Sequence, residues 1–88
     1  MARLTELWEQ MIRPERGDFS VEHARYILSL GFTQEQHSRY EELSQKAQAD
    51  RLSEEDAAEL DELLAANDLL TMLKAKARTS LRQHTPAA

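Results

Sequence analysis

The sequence contains no cysteine and has only two glycines and two prolines among its 88 residues. The lack of cysteine excludes disulfides and cysteine-based metal sites. Because small secreted proteins are more often held together by disulfides, we expect a cytoplasmic protein. No stretch approaches the roughly 20 apolar residues of a membrane span, and the first residues lack the pattern of a signal peptide, so we expect none. The scarcity of glycine, proline and β-branched residues predicts helix nearly throughout.

The charge and size of the chain limit what it can bind. Sixteen acidic and eleven basic residues leave a net charge of −5, which argues against a general nucleic-acid binder. The apolar content of 41% is too high for a disordered chain. We predict a single helical domain over residues 1–84, followed by a frayed tail at 85–88. A core this small is marginal, and self-association is a common remedy.

Local signals divide the chain into four helices. Apolar residues at helical spacing predict a first helix that ends at Pro14. Ser20 is a good N-cap for a second helix, which Gly31 would end in a left-handed conformation. Thr33 with Gln36 has capping-box spacing. Ser53 precedes a fourth helix that runs from about residue 54 to about residue 83. We therefore predict an all-α fold, a small bundle of about four helices with a long C-terminal helix.

The long C-terminal helix raises a question of size. Thirty helical residues span roughly 45 Å, whereas a compact chain of this length is roughly 30 Å across. Either the helix kinks near Asn67 and Asp68, or its end protrudes, or a second chain covers it. Asp68 would be a solvated edge residue, or the N-cap of a restarted helix.

Its middle section is apolar almost all round, which favours the second chain and a homodimer. Asn67 would then fix the register of the helix–helix seam, although a hydrogen bond within one chain explains it equally simply. The predicted partner or dimer interface comprises Leu63, Asn67, Leu69, Leu70, Met72, Leu73 and Ala77.

Charge changes sign along the same helix. Seven acids and no base lie between Ser53 and Met72, and no acid follows. Each half suits its own end of the helix dipole, and two antiparallel copies would also pair opposite charges. The basic end supports an alternative hypothesis, a DNA-binding transcriptional regulator. Its candidate phosphate contacts are Lys74, Lys76, Arg78 and Arg82.

No pattern of reactive residues predicts catalysis. His37 and Glu41 share a helix face, but zinc sites usually need three or four protein ligands. The sequence has no HExxH motif, nucleophile elbow or glycine-rich phosphate loop. We therefore assign no catalytic, cofactor-binding or metal-binding residue and expect a protein that is not an enzyme.

Three segments carry a family resemblance: "ARYILSLGF", "RYEELSQKAQ" and "LSEEDAAELDELLAANDLLTMLKAKARTSL". Together they resemble a group of short, uncharacterised bacterial helical proteins, over about residues 20–81. Asp50 stands where that pattern tends to have glycine, so a left-handed turn is expected there. The group is often encoded beside small endonucleases of the HNH type. The resemblance therefore implies an antitoxin-like interaction module that binds or regulates a partner such as a nuclease.

Overall fold

A computed structural model describes residues 3–84 and confirms the all-α fold, with a long C-terminal helix. The helices are α1 (Leu4–Ile12), α2 (Val21–Ser29), α3 (Gln34–Gln48) and α4 (Glu54–His84). The described range contains no strand. No helix within it has the length and apolarity that crossing a membrane requires. The predicted frayed tail at 85–88 lies outside the described residues.

The predicted N-caps of the last three helices are confirmed. The Ser20 hydroxyl accepts a hydrogen bond from the backbone N–H of His23 at 3.1 Å. Thr33 and Gln36 form a reciprocal capping box, with backbone-to-side-chain bonds of 3.1 and 2.9 Å. The Ser53 hydroxyl accepts from the N–H three residues later, at 3.0 Å. These bonds satisfy N–H groups that the first turn of a helix leaves without partners.

The end of α2 differs from the prediction. Its C-cap is Leu30 in an extended conformation, and its N–H donates to the carbonyl of Ile27 at 3.1 Å. The predicted left-handed conformation of Gly31 is therefore wrong. Gly17 and Gly31 are both among the described residues, and neither has a positive φ. An extended residue at the C-cap leads the chain directly away, so the turn needs no left-handed position.

The end of α3 confirms the left-handed turn at Asp50, whose φ is 54°. The Asp50 N–H donates to the carbonyl of Ala47 at 3.2 Å, and the Arg51 N–H donates to that of Lys46 at 2.9 Å. This pair of bonds is the Schellman motif. An aspartate thus occupies the position at which glycine is most favoured, at some conformational cost.

The residues group into two compact units, and the single domain predicted over residues 1–84 stays a prediction. Unit 1 comprises Met1–Gly31 and Asp68–Ala88, and unit 2 comprises Phe32–Asn67. The division falls between Asn67 and Asp68, inside α4. Since α4 is helical from Glu54 to His84, no second helix begins at Asp68. Each half of α4 therefore belongs to its own unit and packs with that unit's own helices.

The core of unit 1 is formed by α2 and the C-terminal half of α4. Ala24 and Ile27 of α2 and Ala77 of α4 are buried together. The half-buried apolar residues packed against them are Phe19, Leu28, Leu30, Leu73 and Leu81.

Unit 2 consists of two antiparallel helical segments, α3 and the N-terminal half of α4. The predicted apolar face of α3 consists of Tyr40, Leu43 and Ala47. Leu43 is fully buried, Tyr40 is half-buried and Ala47 is exposed. Among residues 32–67, all of them described, Leu43 is the one buried side chain. Unit 2 therefore has very little apolar core.

Candidate functional site

The most exposed apolar surface of unit 1 lies on α1. Leu4, Leu7 and Met11 are 52%, 43% and 78% exposed. Their spacing of three and four residues places them on one side of the helix. None of the nine described residues of α1 is buried. We call these three residues the α1 edge.

The neighbouring side of α1 faces the rest of unit 1. Trp8 and Ile12 are half-buried there. The ammonium group of Lys76 donates to the carbonyl oxygen of Ile12 at 2.6 Å, which ties the end of α1 to α4. The amphipathic stripe predicted for α1 is thus covered along one margin and exposed along the other.

Lys76 is a structural residue of unit 1. It is 8% exposed, and its Nζ lies 2.7 Å from Oδ1 of Asp18 and 5.1 Å from the ring centroid of Phe19. The hydrogen bond from Lys76 lowers the pKa of the Asp18 carboxyl below its usual value. The assignment of Lys76 as a phosphate contact is therefore corrected, because its charge is used inside the chain. A lysine within a basic run is usually a surface residue, so the burial of Lys76 was not predicted from the sequence.

The connection between α1 and α2 is held closely against α4. The buried hydroxyl of Ser80 accepts from the N–H of Phe19 at 3.1 Å and donates to the carbonyl of Lys76 at 2.8 Å. Gly17 is buried beside the same helix: a Cβ there would lie 2.9 Å from the carbonyl oxygen of Thr79. The backbone of the connection approaches α4 so closely that only glycine fits at this point.

The predicted interface on α4 is partly used within the chain. Ala77 is 0% exposed in the core of unit 1, and Leu73 packs against that core. Ala77 is therefore removed from the candidate interface, because α2 already covers it. Asn67 is exposed, and its role in a seam stays a prediction. Besides Leu73, the half-buried members of the predicted set are Leu63, Leu69, Leu70 and Met72.

The remaining basic residues of α4 are more accessible than Lys76. Arg78 and Arg82 are exposed, and Lys74 is half-buried. Arg82 also donates to the hydroxyl of Thr79 at 3.2 Å. Three of the four predicted phosphate contacts are therefore accessible to a ligand.

Unit 2 carries most of the negative charge of the protein. It holds ten of the sixteen acidic residues and three of the eleven basic ones. Two of the three bases, Arg39 and Lys46, are engaged with carboxylates between α3 and α4. This cluster was not predicted from the sequence, although one signal was present: the bases at 39 and 46 lie seven residues apart on one face of α3.

Arg39 lies at the centre of the cluster. Its guanidinium binds the carboxylate of Glu59 through two bonds of 2.6 and 3.0 Å. It also contacts Asp56 at 3.0 Å and Glu42 at 3.2 Å. Lys46 lies 3.2 Å from Asp56 and 3.7 Å from Glu42. We call these five residues the α3–α4 ion cluster.

The ion cluster shifts the acidity of its members. The hydrogen bond from Lys46 lowers the pKa of Asp56, and the one from Arg39 lowers the pKa of Glu59. A carboxylate whose pKa is lowered by folding stabilises the fold at pH values above the pKa that it has in the unfolded chain. That contribution is lost as the pH falls through the lowered value. The cluster therefore stabilises unit 2 at neutral pH and weakens in acid.

The residues considered for metal binding lie on the surface of α3. His37 and Glu41 are exposed, and the His37 ring meets that of Phe32 edge-on, with 5.6 Å between centroids. Over residues 3–84 there is no group of three or more histidine, aspartate or glutamate side chains placed to hold a metal ion. No cavity is found in this part of the chain.

Comparison with known proteins adds no relative: no family model matches this chain significantly, and neither does any curated protein or solved structure.

Proposed function

We propose that the protein is a non-catalytic helical interaction module that pairs with a second copy of itself and binds a partner protein. The observation that carries the proposal is the α1 edge, where Leu4, Leu7 and Met11 point away from the core of unit 1. Side chains of this kind supply affinity when a partner removes them from water. Self-association is placed on α1 instead of on the interface predicted on α4, since Ala77 and Leu73 of that interface serve the core of unit 1.

The spacing of the α1 edge suits a symmetric pair. Leu4 precedes Leu7 by three residues, and Met11 follows it by four. A twofold axis through Leu7 would place this residue on its own counterpart and Leu4 beside the counterpart of Met11. Such an isologous contact uses the same patch twice and closes as a dimer. Because the patch is small, we expect a weak dimer, on the order of micromolar or above in Kd.

Charge is compatible with pairing α1 against itself. Within and beside the helix, Glu6 and Glu9 are balanced by Arg3 and Arg13. A pair of such helices therefore brings no net charge together and requires no counter-charge. The contribution of individual exposed ion pairs is about 0–1 kcal/mol, so the apolar residues would dominate the affinity.

The acidic unit 2 supports a basic partner. Its excess of ten acids over three bases would attract a positively charged protein and raise the rate of encounter. Nucleases carry basic surfaces for their substrates. A partner of the HNH nuclease type, which the family resemblance implies, fits this charge and makes an antitoxin-like role part of the proposal.

The self-association is tested by sedimentation velocity from about 1 µM to about 1 mM, the range in which weak dimers dissociate. We expect the weight-average mass to rise toward that of a dimer, and Met11→Glu to hold the protein as a monomer. Tyr26→Glu is the matched control, because Tyr26 is an exposed apolar residue of α2 in the same unit. Asn67→Lys tests whether the dimer forms through the interface predicted on α4.

Each result of that experiment is informative. A wild-type protein that is monomeric at every concentration would refute self-association. If Asn67→Lys dissociates the dimer and Met11→Glu does not, the interface lies on α4 and the α1 assignment is wrong. The partner is tested separately, by affinity capture of the product of a neighbouring nuclease gene. Failure to capture it would remove the nuclease and leave the dimer unaffected.

The exposure of Arg78 and Arg82 keeps the DNA-binding alternative testable. Binding through these residues and Lys74 would weaken steeply with salt, because phosphate contacts release counterions. A mobility-shift assay at low salt, with Arg78→Gln as the variant, checks it. An absence of any shift would refute this alternative.

A further inference from the structure

The contact between α3 and α4 in unit 2 depends unusually strongly on charge. Leu43 is the one buried side chain among residues 32–67, all of which the structure describes. Against this small apolar contact stand three cross-helix ion pairs, Arg39 with Asp56, Arg39 with Glu59 and Lys46 with Asp56. Two bases on α3 therefore hold two carboxylates on α4.

The ion cluster is open enough to water to respond to salt. The side chains of Arg39 and Lys46 are 33% and 39% exposed and that of Glu59 is 41% exposed, whereas that of Asp56, which takes part in two of the three pairs, is 19% exposed. Pairs at this level of exposure are screened by mobile ions, unlike pairs in a dry interior. By contrast, the Lys76 side chain of unit 1 is 10% exposed.

The other charges of unit 2 oppose the closed arrangement. Besides the cluster, α3 and its following turn carry Glu35, His37, Glu41, Asp50 and Arg51, and α4 carries Glu54, Glu55, Asp61 and Glu62. Carboxylates dominate this set, so the two helical segments repel one another wherever Arg39 and Lys46 do not neutralise them. Removal of a base from the cluster thus removes attraction and leaves this repulsion in place, whereas added salt weakens both.

We propose that the α3–α4 ion cluster is a salt-sensitive latch. When the cluster is screened or neutralised, α3 separates from α4 and uncovers Leu43, while unit 1 stays folded around Ala24, Ile27 and Ala77. The latch makes unit 2 the part of the protein whose closure the ionic surroundings control. It does not depend on the α1 edge or on the proposed function.

The test is hydrogen exchange of the full chain, followed by mass spectrometry, in about 0.01 M and about 1 M sodium chloride, between which the Debye length falls from roughly 30 Å to 3 Å. We expect exchange in α3 to rise roughly three- to tenfold, as the loss of one to three exposed pairs implies. Exchange in α2 should stay unchanged. Equal behaviour of α3 and α2, or an α3 insensitive to salt, would overturn the latch.

Two substitutions of identical chemistry separate the cluster from net charge. Arg39→Gln removes the centre of the cluster, so α3 should exchange at low salt as quickly as the wild type does at high salt. Arg51→Gln removes the same charge from the same unit at an exposed residue outside the cluster, so it should retain wild-type exchange and salt response. Equal effects of the two variants would reduce the latch to a net-charge effect. Loss of protection in α2 of Arg39→Gln would also refute it, because unit 1 would then depend on the cluster.

Discussion

Replacement of Gly17 by alanine should destabilise the protein through a steric clash with α4. The added Cβ would lie 2.7 Å from Cδ and Oε1 of Gln83 and 2.9 Å from the carbonyl oxygen of Thr79. The end of the exposed Gln83 side chain can rotate away. The Thr79 carbonyl belongs to the helix backbone, so either the connection or α4 must shift.

The size of the effect follows from two opposing terms. Forcing an extra carbon into a close-packed contact costs about 1–3 kcal/mol. Alanine also restricts the unfolded chain and recovers about 0.4–1 kcal/mol, because Gly17 does not have a positive φ. The net expectation is a loss of about 1 kcal/mol, within a range of about 0–2.6 kcal/mol. For a domain of this size each 1 kcal/mol lowers Tm by roughly 4–8 °C.

Gly31 provides the matched control for this measurement. A Cβ at Gly31 would meet nothing within 4 Å, and its φ is also not positive. Gly31→Ala should therefore leave stability unchanged or raise it by up to about 1 kcal/mol. Urea and thermal unfolding followed by circular dichroism measure both variants. If Gly17→Ala is as stable as Gly31→Ala, the close approach of the connection to α4 is refuted.

Two further predictions concern residues that the sequence analysis placed differently or marked as unusual. Lys76→Ala should destabilise unit 1 by about 1–3 kcal/mol, because it leaves the Ile12 carbonyl without its donor and opens space beside Phe19. Urea unfolding would show this loss of stability. An unchanged unfolding midpoint would contradict the structural role of Lys76. Asp50→Gly should stabilise the protein by about 1 kcal/mol, since glycine adopts a φ of 54° without the strain of a side chain. A lower midpoint for this variant would contradict the Schellman geometry.

The helix boundaries were predictable because they depend on residues close together in the sequence. Ser20, Thr33 and Ser53 bind N–H groups three residues away, so the signal and its partner lie in the same short window. The left-handed conformation at Asp50 was expected from the family resemblance, whose pattern tends to have glycine at this position. The prediction of a left-handed Gly31 was wrong because the chain can leave a helix along several paths. The local sequence does not select the extended path that it takes at Leu30.

The division into two units was not predictable from length and periodicity. The comparison of a helix of about 45 Å with a compact chain of about 30 Å assumes that all helices share one core. Here α4 packs with α3 up to Asn67 and with α2 from Leu73 onward, so its two halves are covered separately. The structural role of Lys76 was not predictable because its partners, Asp18 and the Ile12 carbonyl, lie far away in the sequence.

The single tryptophan of the chain makes the two units optically distinguishable. Trp8 lies half-buried on α1 in unit 1, whereas unit 2 contains no tryptophan over residues 32–67. Indole fluorescence therefore reports the surroundings of α1 in unit 1. Far-ultraviolet ellipticity records all four helices. Without any added label, noncoincident fluorescence and ellipticity transitions would reveal an intermediate in which one unit has melted and the other has not.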